Sequence, residues 1–300
     1  MTISTRIYND QAISAVNRLT SELQKIQGQI ATGKTTSRAS DNPTAAANAA
    51  FVRDQQQMLD RYAANIERAR TNLVLTEVTI EDSVNILQRV YELTVQADND
   101  TLTAADRKTI GLEISQLKQG LMGLANTRDS NGDYIFSGYR VTQKPFAEDA
   151  EGQVQFHGDR GQHRVQISES LRVLTGLDGA EVFMRVAGPD GTQDVFASLT
   201  AIETQLLDGN KHSEGIEDIR LAIEHFTTQQ TVVGAQINKV DFQTEVIDRR
   251  QILMSENLSR LEDADIAKLV TELQAKMLSR DASQQAFLKI SQQSLFDYLR

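Results

Sequence analysis

The 300-residue chain has no cysteine and no tryptophan, only three prolines, and 5% aromatic residues. Without cysteine there are no disulfides, thiolate metal sites or cysteine nucleophiles. With so few large side chains, thin seams between long helices are a better fit than one broad core. Positive charge is also short: 31 Lys and Arg face 41 Asp and Glu, a net charge of −10. That disfavours a nucleic-acid binder or a partner of anionic membranes. No run approaches the roughly 18 apolar residues a membrane helix needs. The start, MTISTRIYNDQAIS, lacks the basic and then apolar regions of a Sec signal peptide, so a cytosolic chain or another export signal is expected.

What is present is helical periodicity. Near the start, Ala12, Val16, Leu19, Leu23, Ile26 and Ile30 form a heptad stripe. Near the end, Ile266, Leu269, Leu273, Met277, Phe287, Ile290, Leu295 and Tyr298 form a second apolar helix. A seam that narrow needs a partner helix, from the other end of the chain or from another copy. Val52, Leu59, Ile66, Leu73, Ile80 and Leu87 recur at seven-residue spacing, partly seconded by Ala63, Val84 and Tyr91 and weakened by Gln56, Arg70 and Glu77. Ile110, Ile114, Leu117, Leu121 and Leu124 make a shorter tract, with Thr103 and Asp106 placed as its N-terminal cap. From Ile216 to Leu261 a 3–4 alternation is sustained, interrupted only at Gln230, Thr244 and Gln251. Such a helix is about 70 Å long, and its period implies left-handed coiled-coil packing.

The middle differs. Ten of the seventeen glycines and two of the three prolines lie between Gly132 and Gly209. Period-2 stretches occur at Val154–Phe156 and Arg164–Ile167. Turn signals flank them at Asn131-Gly132, Asp159-Arg160-Gly161, Asp178-Gly179 and Pro189-Asp190-Gly191. A small β-rich excursion between outgoing and returning helices is expected. The fold class is therefore mainly α, elongated, with a small β-rich domain and terminal helices pairing as a coiled coil or bundle.

Candidate chemistry is sparse. Gly28-Gln29-Ile30-Ala31-Thr32-Gly33-Lys34-Thr35 matches the P-loop pattern formally. A P-loop follows a strand and opens a helix, whereas this one sits at the end of a heptad helix. Gly33 reads instead as a helix stop. His157, Asp159 and His163 straddle a turn with no further ligands nearby, so they read as a solvated turn rather than a metal site. Glu262-Asp263-Ala264-Asp265 stands before the last helix, where Asp263 or Asp265 serves as a cap. There is no G-x-S-x-G elbow. No enzyme, cofactor or metal is expected.

Two stretches carry a resemblance. Gly33-Lys34-Thr35-Thr36-Ser37-Arg38-Ala39-Ser40-Asp41-Asn42-Pro43-Thr44-Ala45-Ala46 and Leu261-Glu262-Asp263-Ala264-Asp265-Ile266-Ala267 resemble the signatures that follow the first helix and precede the last in the bacterial flagellin superfamily. Asn131 to Tyr139, Lys144-Pro145-Phe146, Phe156-His157-Gly158-Asp159 and the ending Ser294 to Leu299 resemble its hook-associated branch; flagellin itself is the alternative.

The resemblance implies a structural role in the hook–filament junction and secretion to the flagellum by type III export. It implies three domains: 1–40 with 262–300 as a terminal coiled coil, 41–130 with 213–261 as a helical rod, and 131–212 as the β-rich outer domain. Implied partners are further copies of the chain, a FlgK-type junction protein, flagellin and the export chaperone FlgN. Assembly is assigned to Val16, Leu19, Leu23, Ile26, Ile30, Ile266, Leu269, Leu273, Met277, Phe287, Leu295 and Phe296, and chaperone binding to Leu273, Met277, Phe287 and Leu288. A buried Leu contributes about 1.5–3 kcal/mol, while ordering costs about 1–2 kcal/mol per residue. Residues 1 to about 40 and 265 to 300 are thus expected to be mobile in a free subunit and helical once assembled.

Overall fold

A computed structural model describes residues 3–36, 38–150, 152–188 and 191–298, with side chains described at 7 and from 10 to 289 within those spans. Seven α-helices and three two-stranded antiparallel sheets are found among them. The chain forms two compact units, Met1–Met58 with Arg250–Arg300, and Leu59–Arg249.

The first unit contains α1 (Ile3–Thr32), the start of α2 (Pro43–Ala97), the end of α6 (Glu214–Glu262) and α7 (Ile266–Tyr298). Gly33 takes φ +68° and stops α1, a conformation that costs a residue with a Cβ more than glycine. Pro43 opens α2 at the position where its missing N–H is harmless, and Asn42 Oδ1 accepts from the Ala45 N–H at 3.1 Å. Asp265 caps α7, its Oδ1 accepting from the Lys268 N–H at 3.0 Å. α1 and α7 pack on each other, so each terminal stripe finds a first partner within its own chain.

The second unit is built on the heptad tracts. α2 buries Leu59, Ile66, Leu73, Ile80 and Leu87, and α6 buries Ile219, Phe226, Val233, Val240 and Ile247. The two run antiparallel: Arg70 Nε meets Asp241 Oδ1 at 2.9 Å, and about two turns further along α2, Glu77 Oε1 lies 3.9 Å from where a Cβ on Gly234 would sit. α3 (Ala104–Ala125) begins at the Thr103–Asp106 capping box and folds back along α2, with Arg89 reaching Glu113 at 2.8 Å. α5 (Val195–Leu207), capped by Asp194, lies along α3 with Leu199, Ile202 and Leu206 fully buried. Gly111 of α3 admits the Leu206 side chain, whose Cβ would stand 3.1 Å from an added methyl.

Strands are short. β1 (Phe146–Glu148) pairs with β2 (Val154–Phe156), β3 (Arg164–Gln166) with β4 (Arg172–Leu174), and β5 (Val186–Gly188) with β6 (Gly191–Gln193). The two period-2 stretches form β2 and β3. Asp178-Gly179, read as a turn signal, is instead the start of the short helix α4 (Gly179–Phe183): Asp178 Oδ1 accepts from the Ala180 N–H. The same short side chain serves turns and helix caps, so the dipeptide alone does not separate them. The excursion is held by five fully buried phenylalanines. Phe183 stands 5.2 Å, centroid to centroid, from each of Phe136, Phe146 and Phe226, and 5.9 Å from Phe196.

Candidate assembly surface

Along α1, Leu23 and Ile26 are 4% and 5% exposed, and Val16, Leu19 and Ile30 are half-buried. Leu269, Leu273 and Phe287 of α7 are half-buried, while Ile266 and Met277 are exposed. Leu288 is more exposed still, and Ile7, Ile13 and Leu278 add to the uncovered apolar surface. Leu295 and Phe296 lie outside the described side chains. The helix pair therefore covers only the middle of its own seam. Nearer the free ends it leaves an apolar recess of about 320 Å³, walled by Ala12, Ile13, Val16, Phe287 and Leu288.

Polar contacts bridge the helix pair. Lys276 Nζ donates to Glu22 Oε2 at 2.6 Å, which holds the Glu22 carboxyl below its ordinary range and raises the Lys276 amine. At the other end of the helix pair, residues from opposite ends of the chain form a clasp. The Thr35 N–H donates to the Glu262 carbonyl at 2.7 Å, the Ala264 N–H to the Gly33 carbonyl at 2.9 Å, and Thr35 Oγ1 to the Asp263 carbonyl at 2.8 Å. The Glu262 carboxylate takes Lys34 at 2.9 Å and also Arg53. Desolvation pushes the Glu262 carboxyl up, but the two cations outweigh it and hold it below its ordinary value.

The clasp joins the two resemblance stretches and was not foreseen from the sequence. The stretches around Lys34 and Glu262 read only locally, as a helix stop at Gly33 and a cap at Asp263 or Asp265, and no spacing rule links residues so far apart. The P-loop pattern is resolved by the same geometry: residues 28–32 belong to α1 and Lys34 is committed to Glu262, so no phosphate-cradling loop forms. Asp159 Oδ1 accepts from the Tyr139 and Gly161 N–H groups, and His163 Nε2 contacts the Gly138 carbonyl at 3.1 Å. These side chains organise a loop.

The N-terminal helical region of bacterial flagellin matches residues 3–141, and the C-terminal helical region matches residues 216–299. The flagellar hook-associated protein 3 of Salmonella typhimurium is 25% identical over 320 residues, spanning 100% of both chains. A flagellin of Treponema pallidum is 25% identical over 248 residues, covering 81% of this chain and 80% of its own. The crystal structure of the flagellar junction protein FlgL from Legionella pneumophila superposes with a TM-score of 0.61 at 17% identity, over 72% of this chain and 99% of that one. The matched regions are the paired terminal helices and the long helices that continue from them, and on that ground this chain belongs to the bacterial flagellin family.

Proposed function

We propose that the chain is a structural subunit of the bacterial flagellum that forms one layer of the hook–filament junction. The observation that carries an assembly role is the α1–α7 pair, whose seam is covered in the middle and bare on its flanks. Copies packed side by side would cover Ile13, Met277 and Leu288, and Phe51, Ile252 and Leu253 add exposed apolar groups in the same unit. Surfaces of this kind on a soluble chain mark a protein partner. The layer is argued from similarity: two relatives matched over 99–100% of both chains, at 25% and 26% identity, are named flagellar hook-associated protein 3, whereas the flagellin matches cover 80–95% of this chain.

On this reading Val16, Leu19, Leu23, Ile26, Ile30, Ile266, Leu269, Leu273, Met277 and Phe287, with Leu295 and Phe296, make the contacts between copies. A FlgK-type protein lies below and flagellin above. Before assembly the subunit is exported unfolded through the type III apparatus, with FlgN on Leu273, Met277, Phe287 and Leu288. The division into 1–40 with 262–300, 41–130 with 213–261, and 131–212 describes inner coiled coil, rod and outer domain. The helix pair is marginal in the free chain and is completed by its neighbours, so amides of α1 and α7 exchange quickly in the monomer and slowly in the assembly. Strong protection in the monomer overturns that point.

Immuno-electron microscopy tests the layer. A single band at the distal end of the hook is expected; label along the whole filament, or purified protein that polymerises alone into long filaments, makes it a flagellin instead.

A further inference from the structure

Beside β3 and β4 lies a cleft of about 610 Å³, unrelated to the helix pair and within the second unit. It is lined by Tyr139, Arg160, His163, Arg164 and Arg172, together with Gly161 and Gln162; among the described residues no carboxylate lines it. Three guanidiniums around one opening are notable on a chain of net charge −10. Arg164 and Arg172 sit at opposite ends of paired strands, Arg164 facing Leu174 and Gln166 facing Arg172, so the hairpin sets their separation.

Tyr139 is 62% exposed yet held in place. Its N–H donates to Asp159 Oδ1 at 2.9 Å, its hydroxyl donates to the Gln162 carbonyl at 3.2 Å, and its ring meets His163 edge to face at 4.9 Å between centroids. The ring rests on Gly161, where any Cβ would collide with it. The nearest carboxylate in sequence, Asp159, accepts from the Tyr139 and Gly161 N–H groups, which with the charges of Arg140 and His163 lower its pKa; Asp178 faces the charge of Arg160, and neither carboxylate lines the cleft. A fixed aromatic plate beside guanidinium forks is the chemistry that recognises a sugar ring bearing a carboxylate or sulfate. The cleft has the volume of a small-ligand site. Nucleic acid is the weaker fit, because tracking a polyanion requires an extended basic stripe and this chain is acidic overall.

We infer that the cleft formed by Tyr139, Arg160, His163, Arg164 and Arg172 binds an acidic saccharide. The inference does not rest on the junction assignment. The test is titration calorimetry on the full chain with a sulfated heparin disaccharide and with sialyllactose, against lactose, inorganic sulfate and a short single-stranded DNA. At least one acidic saccharide binds and lactose does not. Arg164→Ala with Arg172→Ala weakens binding roughly 10- to 100-fold, the loss of charge-assisted hydrogen bonds. Tyr139→Ala weakens it about tenfold through the lost ring contact. Arg160→Gln, a change at an exposed loop position, gives the same direction of effect with thermal unfolding unaltered. Swimming is unchanged in all of them. Three outcomes overturn the inference: no binding of either acidic saccharide, sulfate binding as tightly as the saccharide and indifferent to Tyr139→Ala, or DNA binding in preference to both.

Discussion

Replacing Leu23 by aspartate places a carboxylate at a site that is 4% exposed in the α1–α7 seam. Removing the leucine forfeits about 1.5–3 kcal/mol, and burying an unpaired carboxylate costs several kcal/mol more. Leu23 and Ile26 are the two wholly buried large side chains of the helix pair among the described residues. Their combined contribution is about 3–6 kcal/mol, which the substitution equals or exceeds. The pair should open while the second unit, with its own phenylalanine cluster, stays folded. Since the chain has no cysteine, single labels are easily placed. Spin labels at Glu22 and Lys276, whose ion pair is partly exposed and contributes little, report the contact directly. The wild-type assembly shows a short, narrow distance; Leu23→Asp shows a broad, long one, fails to assemble and abolishes swimming, with the main thermal transition unmoved. A retained short distance with normal swimming refutes the reasoning, as does an equal loss of stability in the second unit.

Leu273→Asp on the facing helix should likewise spare the second unit and abolish junction assembly, read by motility in soft agar. Phe183→Ala removes the hub of the aromatic cluster and costs about 3–5 kcal/mol, a fall of about 10 °C in the main transition by calorimetry, while the labels at Glu22 and Lys276 stay close. Asp194, desolvated at the α5 cap, has its pKa raised to about 6. The protonated form is favoured on folding, so its stabilisation is full below the unfolded value near 4 and is lost as pH rises through 6. Asp194→Asn, which keeps a capping oxygen, should gain about 1–2 kcal/mol at pH 7 after allowance for partial exposure, and nothing at pH 4, by urea unfolding. Glu262 has a lowered pKa, so its contribution is present above the usual carboxylate range and lost as pH falls through the folded value. Glu262→Gln should weaken the clasp by about 1 kcal/mol at neutral pH, since Lys34 and Arg53 are half-exposed, and leave it less sensitive to acid, measured by proteolysis of the 33–42 segment.

The long helices were legible because their seams repeat over many turns: the buried Leu59, Ile66, Leu73, Ile80 and Leu87 are the residues the heptad picks out. The Thr103 cap and the Gly33 stop were legible because each is a local motif. Apolar counting passed over Thr76, Thr79, Ser83 and Thr94, which are buried in the same seam of α2. Each hydroxyl donates to the carbonyl four residues earlier, so it is satisfied inside its own helix and enters the core at little cost. α5 was hidden for another reason: its thirteen residues lie among glycine-rich turns, and its apolar face is matched to α3 through Gly111 and Leu206, a tertiary fit with no local signature. The stripes at both ends were visible as helices in need of partners. The Lys34–Glu262–Arg53 clasp was not, because it is made across the whole chain.

That clasp has a kinetic consequence. Its backbone bonds join residues 33–35 to 262–264, with more than two hundred residues between them. Closing so large a loop is entropically slow unless the intervening chain has already condensed. If, as proposed, the subunit is threaded out of a narrow channel one end at a time, half of the clasp waits until the other half emerges. The second unit, built between Leu59 and Arg249, is free to condense first and so shortens the loop that the clasp must close. On the proposed export route, closure of the clasp would report that both of its halves have come through, and helices α1 and α7 would gain their joint surface only then.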